Sequence, residues 1–198
     1  MSQPMHEPSF DPLDAVGWPK RTERLVIRRA APDDLDATWR IRSQEAVAQW
    51  ISSAPSHDQH AAWFGEADHA LKSLMVELDG NVIGDLMVDI GDGWAQAEVA
   101  DQARGMEAEL GWTFDPAVGG HGYATEAVAE LIRICFEDLG LRRVTGLCFA
   151  DNEPSWRLME RLGMRRESHA VQDSLHRTKG WLDGYGYALL ADEWRAGR

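Results

Sequence analysis

The stretch at residues 110–137, with the residues just before it, constrains the fold more than any other. Ala108, Leu110, Trp112 and Phe114 alternate as in a strand with one face on a core. Ala124, Ala127, Val128, Leu131, Ile132, Cys135, Phe136 and Leu139 then recur at helical spacing and stop at Gly140. Between them lies Asp115-Pro116-Ala117-Val118-Gly119-Gly120-His121-Gly122-Tyr123. A glycine-rich turn that opens a helix aims several N–H groups outward at the positive end of the helix dipole. That makes an anion site best suited to phosphate. No GxxxxGK[ST] is present, and the glycine spacing does not give GxGxxG with an acidic residue one strand later, so two familiar nucleotide loops are excluded. A turn and helix start with no ligand is the plain alternative.

The rest of the chain must supply one core around this unit, since 198 residues are enough for one substantial core and short for two. Thr22 to Ala30 reads as a first strand, and Pro32-Asp33-Asp34 opens a helix through Trp39 and Ile41. Val47 and Trp50-Ile51 suggest a short second helix, and Ser56 to Gln59 has capping-box spacing for a third. Trp39, Trp50 and Trp63 read as core anchors, although segments in this position also build substrate walls. Leu74 to Leu78, Asp79-Gly80 and Val82 to Val88 form a β-hairpin pattern, followed by a long polar loop at residues 91–105 that could lie over an active site. A fifth strand at residues 143–149, a helix from Asn152 to Leu162, and strands at residues 164–172 and 179–190 complete the pattern. The expected fold class is α/β, a mixed, mostly antiparallel seven-stranded sheet with helices on both faces. Residues 1–20, with four prolines, read as a flexible arm, and residues 21–198 as a single domain.

Charge narrows the partners. Lys plus Arg number 20 against 33 Asp plus Glu, a net charge of −13, which argues against nucleic-acid binding and suits a cationic substrate. No run approaches the roughly 18 apolar residues of a membrane span, and the N-terminal residues show no apolar signal segment. Cys135 and Cys148 sit in apolar segments without partners at metal spacing, so no metal site is expected and a reducing, cytoplasmic setting is.

The order Asp-Pro, short loop, Gly-His-Gly-Tyr-Ala-Thr-Glu-Ala resembles the pyrophosphate-binding loop of the GNAT superfamily of acyl-CoA N-acyltransferases, [Gln/Arg]-x-x-Gly-x-[Gly/Ala], here Gly119 to Ala124. One position departs: Gly119 stands where Gln or Arg is usual. Asn152-Glu153-Pro154-Ser155 with Leu158-Met159-Glu160-Arg161-Leu162-Gly163-Met164 is similar to a segment of the Rim-type ribosomal-protein N-acetyltransferases. Glu109-Leu110-Gly111 and Gly180-Trp181-Leu182-Asp183 fit the same branch, and the resemblance spans about residues 21–194.

The resemblance implies acetyl-CoA as the acyl donor, a primary amine as the acceptor (a protein N-terminus or a small cationic amine), and direct transfer in a ternary complex. It allows a homodimer. It places Trp112, Thr113 and Phe114 beside the pantetheine, Gly120, His121, Gly122, Tyr123, Ala124 and Thr125 at the phosphates, and Asn152 and Ser155 near the pantetheine and thiol. His121 is equally a solvent-exposed spectator, and helix capping is the other role for Asn152 and Ser155. An amine must be neutral to attack a thioester, so a general base is expected. Glu109 is the first choice, on the strand face opposite Leu110 and Trp112, where a covering layer would raise its pKa. An ion pair to Arg28, Arg40 or Arg42 is its structural alternative. Ser155 is the catalytic candidate at the leaving sulfur, with Tyr187 second, because Met159 occupies the place of the tyrosine that many GNAT enzymes use. An acyl-CoA-binding regulatory protein with an inactive centre is the competing reading.

Overall fold

The computed structural model describes residues 11–52, 56–66 and 72–197. Two short strands, β1 (Lys20–Arg21) and β2 (Val26–Arg29), are followed by helices α1 (Leu35–Arg42), α2 (Glu45–Ala48) and α3 (His57–Phe64). Strands β3 (Ser73–Leu78) and β4 (Asn81–Gly91) form a hairpin whose two turn residues, Asp79 and Gly80, both have positive φ. That geometry matches the twist of the strands, and glycine adopts it without strain. Next come β5 (Glu107–Phe114), α4 (Tyr123–Arg133) with a π-helical turn (Ile134–Asp138), β6 (Arg143–Phe149), α5 (Glu153–Arg161), β7 (Arg165–His176), β8 (Gly180–Leu190) and α6 (Ala191–Ala196).

All eight strands join one sheet in the order β1-β2-β3-β4-β5-β6-β8-β7. Every neighbouring pair is antiparallel except β5 and β6. That one parallel pair follows from α4, whose crossover returns the chain to the same end of the sheet. On one face, Val88 and Leu110 pack with Val128, Leu131 and Ile132 of α4 and Leu158 and Met159 of α5. On the other face, a smaller cluster of Ile41, Val47, Met75 and Val82 lies between the sheet and helices α1 and α2. Ser56 and Gln59 form the expected capping box at the start of α3.

The fold class is the one expected, with one strand more. The extra strand, β1, is two residues long and lies partly in the expected N-terminal arm. Residues 11–20 are not a flexible arm: Asp11 caps a 3₁₀ turn (Pro12–Ala15), Leu13 is 1% exposed within the main core, and Asp11 pairs with Arg29. Residues 1–10 of that arm lie outside the described residues. The loop at residues 91–105 contains an exposed 3₁₀ segment (Ala97–Ala103) and stands apart from the large cleft described below. Strand β7 runs four residues beyond its expected end, because a bulge with Gln172 at φ 50° hides the alternation in the sequence.

Leu13→Ala is expected to lower unfolding stability by about 2–5 kcal/mol in urea titration, the range for a buried leucine. A freely moving arm would give no measurable change.

Candidate active site

Strands β5 and β6 pair only through Glu107, Ala108 and Glu109, opposite Arg143, Val144 and Thr145. Beyond these residues β5 stays with β4 up to Phe114, while β6 follows β8 up to Phe149. The strands therefore part. They open a cleft of about 960 Å³ bounded by Leu110 to Phe114 on one side and Leu147 to Phe149 on the other, with Asn152 and Ser155 at the start of α5. Among the described residues, no strand lies beside the edge of β5 that faces the cleft beyond Glu109. An extended chain with hydrogen-bonding groups can take that strand's place.

The glycine loop sits at the mouth of this cleft, to which Gly119 and Ala124 both contribute. Gly120 and Gly122 have φ of 80° and 82°, a conformation that a side chain would strain. Gly122 is the N-cap of α4, and no side chain caps the helix, so its first N–H groups are available to a ligand. The loop is held from outside by Arg24. Its guanidinium donates to the His121 carbonyl at 3.0 Å and to Glu126 at 2.7 Å, and lies 4.5 Å from the centre of the Tyr123 ring. Glu126 also accepts from the Thr22 hydroxyl at 2.5 Å and the Arg24 N–H at 2.8 Å. Arg161 donates to the Thr125 hydroxyl at 3.1 Å. The sequence reading missed both arginines. Nothing local marks Arg24, which meets the loop across about a hundred residues of chain.

The cleft brings together Trp112, Thr113, Phe114, Ala124, Asn152 and Ser155. Gly120, His121, Gly122, Tyr123 and Thr125 form the loop and first helical turn at its mouth, with His121 exposed and stacked on Tyr123 at 5.7 Å. The Asn152 side chain does not cap α5; the main-chain carbonyl of Asn152 accepts from the Ser155 N–H at 3.1 Å. The Ser155 hydroxyl meets the Cys148 thiol, which burial pushes up to about 11. Trp50 belongs to the cleft wall rather than to the core, against Phe149 and His176. At this wall the β7–β8 hairpin reaches across: His176 donates from Nε2 to the Gln49 carbonyl at 2.8 Å, and Arg177 donates to the Ile51 carbonyl at 2.7 Å.

Two expectations change. Glu109 shares a sheet face with Thr113, but it is exposed and stands outside the residues lining the cleft. Burial by flanking groups, and then the charge of Asp89 opposite it, still raise its carboxyl above the usual range. It does not pair with the expected arginines, since Arg28 binds Asp34 and Glu77, Arg40 binds the Val82 carbonyl and Arg42 binds Asp85. Tyr187 is buried away from the cleft, donating to Glu160 at 2.8 Å and accepting from Arg166 at 2.7 Å, so it cannot serve the leaving group. Met159 is buried beneath Gly146, where a Cβ would come within 2.9 Å of its sulfur.

A parted parallel pair with an open helix N-terminus at its mouth suits an extended donor that carries a pyrophosphate, and comparison with known proteins identifies the family. The family profile described as Acetyltransferase (GNAT) domain matches residues 24–165. The chain belongs to this family and is an acyl-CoA-dependent N-acetyltransferase. It is 29% identical to the uncharacterized N-acetyltransferase YnaD of Bacillus subtilis over 176 residues, 87% of this chain and 97% of that one. It is 28% identical to the putative ribosomal N-acetyltransferase YdaF of Bacillus subtilis over 177 residues, 88% of this chain and 96% of that one, in keeping with the Rim-type branch. A crystal structure of a GNAT-family acetyltransferase from Bacillus anthracis superposes with a TM-score of 0.73 at 28% identity, covering 87% of this chain and 98% of that one.

Burial alone would raise the Glu126 carboxyl, but its bonds from Thr22 and Arg24 outweigh this and hold it below the usual range. A depressed folded pKa stabilises above the unfolded value of about 4.3, and that stabilisation is lost as pH falls through the folded value. Glu126→Gln is therefore expected to lower the urea midpoint at pH 7, with the gap from wild type closing as pH falls below 4. A gap that persists at low pH would contradict this role.

Proposed function

We propose that the protein moves the acetyl group of acetyl-CoA to a primary amine, a peptide N-terminus or a small cationic amine, by direct transfer within a ternary complex. The observation that carries this reading is the continuity of the glycine loop with the cleft between β5 and β6. The residues fit the donor at both ends. The uncapped N–H groups after Gly122 suit a pyrophosphate, and Arg24 and Arg161 bring positive charge to a loop whose Gly119 lacks the usual side chain. The open edge at Trp112, Thr113 and Phe114 suits an extended amide-bearing arm. When bound, acetyl-CoA supplies a thioester carbonyl open to attack.

The chain's own groups have three tasks. Trp112, Phe114 and Trp50 exclude water from the cleft. Glu109, at the last paired residue before β5 and β6 part and outside the cleft lining, takes the proton of the acceptor ammonium through water, a role its raised carboxyl suits. Ser155, at the start of α5, orients the departing sulfur. Two free thiols and the supply of acetyl-CoA favour action in the cytoplasm.

Calorimetric titration should show acetyl-CoA binding by the wild-type protein and none by Gly122→Glu, which puts a strained side chain and a negative charge in the loop. Arg24→Ala should weaken binding about tenfold, near the worth of one partly exposed charge-assisted bond. Unchanged binding in both variants would remove the loop from the site. In thiol-release assays over amines and N-terminal peptides, Glu109→Gln should lower kcat and abolish the acid limb of the pH–rate profile. That limb should lie above the ordinary carboxylate range, since the base works only when deprotonated.

A further inference from the structure

On the acceptor side of the cleft one carboxylate stands out. Among the described residues that line the cleft, Asp173 is the only acidic one, and none is Lys, Arg or His. Other acids of this region have basic partners: Asp183 has His169, Asp151 has Lys179, and Glu160 has Arg166. Among the described residues Asp173 has none, and its Oδ1 accepts a 2.9 Å hydrogen bond from the Ser174 hydroxyl.

The backbone is shaped to place it. Between Ala170, opposite Gly184, and Ser174, opposite Leu182, β7 carries three residues against one on β8. Within this bulge Gln172 takes a φ of 50°, held by its N–H donating to Asp183 Oδ1 at 2.9 Å. Bulges re-aim side chains, and a non-glycine residue at positive φ persists only where its surroundings enforce it. Strand β8 makes room beneath: a Cβ at Gly184 would lie 2.7 Å from Asp173 Oδ1, and one at Gly186 would lie 2.5 Å from the Ser168 hydroxyl. Trp50, Phe149 and Tyr185 stand around the same end of the cleft; Lys179 already lies 4.6 Å from the centre of the Trp50 ring and Arg166 4.0 Å from that of Tyr185, so the rings bound the space and Asp173 supplies its charge.

Building on the proposed acetyl transfer, we infer that Asp173 fixes acceptor choice by binding a second positive charge on the acceptor, apart from the amine that reacts. The acceptor class is then a diamine, or a peptide whose N-terminal amine is followed closely by Lys or Arg. An acceptor whose second group is a carboxylate meets Asp173 with like charge and finds no cation among the described lining residues.

The test uses acceptors matched in length. Pentane-1,5-diamine should be acetylated with a kcat/KM about tenfold or more above that of pentylamine, the worth of one charge-assisted contact. Ser-Lys and Ser-Ala peptides give the same comparison for peptide acceptors. Asp173→Asn should bring the ratio close to one through the KM of the diamine, leaving the Kd of acetyl-CoA unchanged. Gly184→Ala, which crowds Asp173, should act in the same direction, and Asp192→Asn, at an exposed acid on α6, should preserve the ratio. Acetyl-CoA binding with no preference for the diamine, or a preference untouched by Asp173→Asn, overturns the inference while leaving the transferase reading intact. Absence of acetyl-CoA binding defeats the transferase reading and this inference with it.

Discussion

The early separation of β5 from β6 is the constraint on which the site depends. A continuous parallel pairing would satisfy the facing N–H and C=O groups of both strands and leave no room between them. Here the pairing stops after Thr145, and the two halves of the sheet go separate ways. The apolar layer on the far side prevents collapse. Helix α4 and helix α5 fill the space behind the gap, with Met159 packed closely enough on Gly146 that even a methyl group there would clash. The gap is thus held open by packing, and its exposed edge offers hydrogen bonds at no cost in rearrangement.

The loop and the cleft depend on different parts of the chain. The glycines permit the loop's conformation, but Arg24 and Glu126 select it, by tying the start of α4 to the turn between β1 and β2. The N-terminal segment therefore belongs to the proposed donor site, although none of its residues lines the cleft. The proposed acceptor side is built from both ends of the chain, by β7 and β8 and by the segment after α2.

The sequence made the donor half legible because its signals are local. Alternation in β5, the glycines and the stripe of α4 lie next to one another, and each shows in the local pattern of residues. The acceptor half was far less legible. Asp173 depends on a bulge whose unusual backbone at Gln172 has no glycine to announce it, and on Gly184 across the strand pair. Glu109 shows the limit from the other side: it shares its strand face with the buried Thr113 yet is itself exposed, a difference that alternation along the strand does not carry. Leu13 and Val16 were hidden among prolines that suggested a loose arm, and only their tertiary partners reveal them as core.

The hairpin of β7 and β8 closes the far end of the cleft by holding main-chain carbonyls, those of Gln49 and Ile51, rather than side chains. A carbonyl is present whatever residue carries it. The segment after α2 can therefore change its side chains, and with them the shape of the acceptor wall, without untying the two halves of the sheet. Closure and selectivity are separable properties of this fold, so a new acceptor requires new side chains on the wall but no new architecture.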